Sequence, residues 1–138
     1  MTPQNFNYQR NDRNNQNQTV LTLQQIRNII QYGGKELVDT AEKLGPMLYN
    51  QHLTTSQIRN IYGAVKQMEI NGFKPNEFIL LKPKLAYAAV RANGNGAKIL
   101  KDVLTMAIDE VGEDKARFGR FVDFFEAILA YHKAEGGK

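Results

Sequence analysis

Residues Phe118 to Tyr131 constrain this chain more than any other stretch. At about 100° per residue, Phe118, Phe121, Val122, Phe125, Ile128 and Leu129 fall on one face of a helix, and Phe124 and Tyr131 widen that face on one side. Arg120, Asp123, Glu126 and Ala127 fall opposite. Each large ring buries roughly 150–250 Å², so such a stripe must be covered by several other elements. It reads as core, although part of it could line a partner interface.

The covering elements also read as helices. Thr22 to Tyr32 has the helical period, and so does Asp39–Thr40 to Leu48 with its flanks. Gly33–Gly34 separates the two, and Gly45–Pro46 is expected to bend the second. Thr54 starts a third helix, with Gln57 three residues on completing a capping box. That helix ends at Asn71–Gly72. A short turn at Asn76 precedes a fourth helix from near Lys82, with Pro83 in its first turn; if helix already runs from Glu77, Pro83 kinks it. Asn93 to Gly96, "NGNG", ends the fourth helix. Ala97 to Val111 is a fifth, and Gly112 to Asp114 turns into a sixth running to about Lys133. No segment alternates with a period of two, and there is no internal repeat. The expected class is all-α, a compact bundle of five or six helices. Residues 19–138 form its single domain. Residues 1–18 hold ten Asn or Gln and three charges, too little apolar surface to offset chain entropy, so they are expected to be a disordered polar tail.

Composition excludes several classes. A chain of 138 residues with 42% apolar and 23% charged side chains is ordinary for a soluble globular domain. It has no cysteine, hence no disulfide, thiolate nucleophile or zinc–cysteine site, in keeping with a reducing cytoplasm. No apolar run suggests a signal peptide or approaches a membrane span. A net charge of +4 favours an acidic partner only weakly.

Two helices carry the same pattern: a cation, a tyrosine three residues on, and a cation seven on. In the third helix the residues are Arg59, Tyr62 and Lys66, beside an apolar face of Ile58, Ile61, Tyr62, Val65 and Met68. In the fourth they are Lys84, Tyr87 and Arg91, beside Leu81, Leu85, Ala88, Ala89 and Ala92. Each cation pair is separated by two helical turns, about 10.5 Å. Cations with adjacent aromatic rings suit a single-stranded nucleic acid, which needs phosphate neutralisation and a surface for its bases. The plainer reading is that Lys and Arg favour helix edges, where their stems cover apolar surface and their heads stay wet.

Other chemistry is less developed. His52 and His132 lie on different elements without ligand-spaced partners, so no metal site is expected; His132 suits a helix C-terminus for its dipole alone. Asp109, Glu110, Glu113 and Asp114 could hold a divalent cation or simply be solvated helix-end acids. Gly94, Gly96 and Lys98 resemble a phosphate-cradling loop, but the full spacing and a preceding strand are missing, so they read as a helix connection. Ser56 has no nearby base. Nothing assembles an acid, a base and a nucleophile, so the chain reads as a binding protein with no cofactor and no catalytic residues.

Three motifs occur in order: "LTTSQIRNIYGAV" (Leu53 to Val65), "PKLAYAAVR" (Pro83 to Arg91) and "FVDFFEAILAYHK" (Phe121 to Lys133). Together they resemble the small subunit of type III-A CRISPR–Cas effector complexes, the Csm complexes. Val90 stands where that resemblance leads one to expect glycine. The resemblance implies a non-catalytic, cytoplasmic helical subunit, stacked in several copies inside an antiviral ribonucleoprotein. There its basic face would hold the backbone of target RNA paired with guide RNA. Its other partners would be further copies of itself and the backbone and large subunits. Carried over by motif, Arg59, Lys84 and Arg91 are the RNA-contact candidates; Lys66 rests on periodicity. Lys82, Lys98, Arg120 and Lys133 form a second tier. The rivals are a helical protein–protein adaptor without RNA contact and a helical metalloenzyme using the Asp109–Asp114 acids.

Overall fold

Each helix start supplies donors that need acceptors, and at three starts, after Thr22, Thr54 and Asp114, the sequence provides a side chain that accepts. A computed structural model describes residues 21–136. The tail expected over residues 1–18 lies outside the described residues. Helix α1 (Leu23–Tyr32) begins at Thr22, whose hydroxyl accepts from the Gln25 N–H at 3.1 Å, while Gln25 Oε1 accepts from the Thr22 N–H at 2.9 Å. Gly33, at φ +66°, ends it, and α2 (Gly34–Asn50) starts at the next residue. The connection is therefore one residue wide. Helix α2 continues through Gly45–Pro46.

Helix α3 (Thr55–Asn71) carries the expected capping box. Thr54 Oγ1 accepts from the Gln57 N–H at 3.1 Å and Gln57 Oε1 accepts from the Thr54 N–H at 2.9 Å. A single helical turn, α4 (Pro75–Phe78), stands where a plain turn at Asn76 was expected. Ile79 and Leu80 keep right-handed dihedrals, so the chain winds on into α5 (Leu81–Arg91), with Pro83 in its first turn. Helices α6 (Gly96–Val111) and α7 (Lys115–Glu135) follow. Asp114 caps α7 by accepting from the Arg117 N–H at 3.0 Å. The architecture is an all-α bundle of six helices and one extra turn among the described residues.

Helix α7 is the hub: α1, α2, α3 and α6 all pack on it. Helix α2 comes close to it where Gly45 has no side chain. A Cβ there would meet His132 N at 2.6 Å and Tyr131 Cβ at 2.7 Å. Phe121, Phe124 and Phe125 are fully buried, and Phe78 from α4 stands edge-on to Phe118 and Phe121 at 5.1 and 5.0 Å between centroids. Each such ring contributes about 1.5–3 kcal/mol through burial.

Four details of the expected α7 pattern change. Phe124, placed at the margin, is fully buried, whereas Leu129, placed on the core face, is only partly covered. Neighbours on several sides draw the buried arc beyond a single stripe. Arg120, placed on the solvent side, is half-buried, and its Nε donates to the Ile30 carbonyl at 2.6 Å. His132 is in the core, with Nε2 2.6 Å from the Leu53 carbonyl.

Candidate nucleic-acid interface

Helix α5 rests mainly on α6 and barely touches α3. Its large side chains, Leu81 and Leu85, anchor it to the core, but Ala88 and Ala92 follow, facing Ala64 of α3. Three methyl groups cannot fill the space between two helices. A groove of about 540 Å³ results, with Ile61, Ala64, Leu81, Ala88 and Ala92 among its lining residues.

Lys84, Tyr87 and Arg91 line this groove from α5, and Gln57 and Asn60 line it from α3. Tyr87 is 64% exposed, and the Arg91 guanidinium lies over its ring, 5.4 Å from the centroid. That contact holds a cation beside an open aromatic face. Lys84 and Arg91 make no ion pair among the described residues, and no carboxylate lines the groove. Three other surface hollows are lined by Glu36 and Asp39, by Asp39, Asp123 and Glu126, and by Asp109 and Glu113. Val90 is 84% exposed and does not line the groove, so it does not narrow it.

The α3 repeat ends up elsewhere. Arg59 and Lys66 project roughly 160° around α3 from the groove-lining residues, counting 100° per residue. Lys66 donates to Glu69 Oε1 at 2.7 Å, and that bond is the main cause of its raised pKa. Tyr62 turns edge-on to Phe125 at 5.4 Å, and burial first, then the Glu126 carboxylate, pushes its phenol above the usual value. The two repeats therefore do not converge on one surface.

The second tier is dispersed as well. Lys82 pairs with Asp109 at 2.5 Å. Lys98 and Lys133 are exposed, on α6 and at the end of α7. Arg120 is tied to Ile30 as described. The acids read as a candidate metal cluster are divided among other partners: Asp109 to Lys82, Glu110 to Arg27 at 3.3 Å, and Asp114 to its helix cap. The NGNG loop holds no open phosphate cradle, since the Gly96 N–H donates to the Gln51 carbonyl at 2.9 Å. Sequence reasoning took Gln57 only as a cap and passed over Asn60. Their signal is the run Gln57, Asn60, Ile61, Ala64, a polar-to-small stripe on the flank of α3 away from Arg59.

The family model described as Csm2 Type III-A matches residues 31–138 of the chain. The chain belongs to this family. It is thus a small subunit of the type III-A CRISPR effector, the Csm complex. The match takes in all of α2 to α7 and both walls of the groove. No curated protein and no solved structure matches the chain. No helix of the described residues is long and apolar enough to cross a membrane.

Proposed function

We propose that this Csm subunit holds the backbone of target RNA paired with guide RNA, and that the α3–α5 groove is where it does so. Lys84 and Arg91 take phosphates, and Tyr87 offers its open ring to a neighbouring base or sugar. Arg59 and Lys66 form a second basic strip on the far flank of α3, which meets a more distant part of the backbone or a neighbouring copy. Several copies stack along the ribonucleoprotein, and the subunit catalyses nothing itself. The observation that carries this reading is a groove lined by two unpaired cations and an exposed aromatic ring, with no carboxylate among its residues. A polyanion meets no repulsion there.

The test is RNA capture by the assembled complex, purified through a tag on another subunit. With Lys84→Glu and Arg91→Glu together, the subunit still folds and co-purifies, because both side chains are exposed, but target RNA capture weakens sharply. Undiminished capture by a fully assembled double variant would refute the phosphate rail. A variant that fails to assemble would instead assign these cations to a contact with another subunit.

A further inference from the structure

Gln57 has two roles in the fold. Its Oε1 closes the α3 capping box by accepting from the Thr54 N–H, and the same side chain lines the groove. The first N–H groups of a helix have no acceptor within it, so the cap fixes which end of this amide turns toward the backbone. The Nε2 end is left over, with no acceptor among the described residues. Asn60, one turn on, lines the same wall; it is exposed and has no side-chain partner among the described residues. One wall of the groove therefore presents cations and the other presents neutral amides.

On the reading that phosphates sit at Lys84 and Arg91, a strand along the groove turns its sugars toward the amide wall. RNA and DNA differ there by one hydroxyl, which both donates and accepts. We propose that Gln57 and Asn60 read the sugar: the Gln57 amide donates to the ribose 2′-oxygen, and Asn60 exchanges hydrogen bonds with the 2′-hydroxyl of a neighbouring residue. The groove then prefers RNA to DNA of the same sequence. Cations alone supply little such preference, because both backbones carry the same charge per phosphate.

The full-length chain is titrated at fixed salt with a labelled single-stranded RNA and the matching DNA. The wild type binds RNA more tightly, by roughly fivefold for each hydrogen bond gained. Asn60→Ala and Gln57→Met each lower RNA affinity toward the DNA value and leave DNA affinity unchanged, whereas Lys84→Gln lowers both. Thr54→Val breaks the other half of the cap but keeps the Gln57 amide, so it retains the RNA preference. The sugar reading is overturned, with the phosphate rail left standing, by any of three results. These are an unchanged preference in both amide variants, an equal loss on RNA and DNA, or the same loss in Thr54→Val. If the wild type binds neither strand, or Lys84→Gln changes nothing, the rail itself fails and the sugar reading with it.

Discussion

Helices α3 and α5 carry the same local pattern, cation, tyrosine, cation, and the fold uses it in two ways. In α5 the tyrosine is exposed and holds Arg91 over its ring, and both cations face a groove. In α3 the tyrosine packs on Phe125 and one cation is bonded to Glu69. The difference comes from the neighbours. Helix α3 lies against α7, whose large rings draw Tyr62 inward; α5 lies on α6 and turns its outer side to solvent. A repeated spacing on helices thus fixes where side chains stand along the axis, and the packing partner decides what they are available for.

RNA affinity should separate the two repeats most widely. Lys84→Glu with Arg91→Glu should lower the affinity of the full-length chain for single-stranded RNA by roughly tenfold or more, and flatten the log K against log salt slope by about 1.4, some 0.7 per lost contact. Arg59→Glu with Lys66→Glu should have less than about a third of that effect on affinity. Equal losses would break the comparison and restore both helices to one basic face.

Stability reverses the order. Tyr62→Ala removes a half-buried ring from the α7 interface and should cost about 2 kcal/mol. Tyr87→Ala should stay within about 0.5 kcal/mol, because its ring touches solvent. Thermal melts of the two variants side by side decide this, and a large loss for Tyr87 would mean that α5 is covered from outside. A smaller gain is expected one residue beyond Tyr62. A Cβ at Gly63 meets nothing within 4 Å, so Gly63→Ala should stabilise by about 0.5–1 kcal/mol through helix propensity. A melting temperature that falls instead would reveal an approach to α3 at this point.

The smallest effect is a titration. Burial and Glu126 raise the Tyr62 pKa above 10.0, so the folded state holds this phenolic proton longer than the unfolded chain does. The contribution to stability is complete below the unfolded value and is lost as pH rises through the folded one. Ultraviolet difference titration of Tyr62→Phe against wild type should remove a late-ionising phenol. Loss of an ordinary one would mean that Tyr62 is more open to water than its contact with Phe125 implies.

Much of the frame was legible in the residues. Thr54 with Gln57, Gly33, Gly72 and Gly112 punctuate the helices where local chemistry demands, because caps and positive φ depend on a few adjacent residues. The errors lie where an outcome depends on distant ones. Arg120 turns inward because the end of α1 leaves the Ile30 carbonyl needing a donor, a requirement written ninety residues away. Phe124 and His132 are buried because α7 has neighbours on several sides. The groove was invisible for the same reason: it exists because Ala64, Ala88 and Ala92 meet, and none of the three carries a signal alone.

The central position of α7 also sets an order in time. Chains are made from the N-terminus, so the helix that α1, α2, α3 and α6 all pack against is the last of the described elements to leave the ribosome. The bond between His132 and the Leu53 carbonyl spans 79 residues, and it cannot close until both ends are present. Until then the apolar faces of the earlier helices have each other but not their main partner. The bond ties the chain just before α3 to the end of α7, so a nascent subunit holds the locally capped start of α3 without this tie until α7 has emerged.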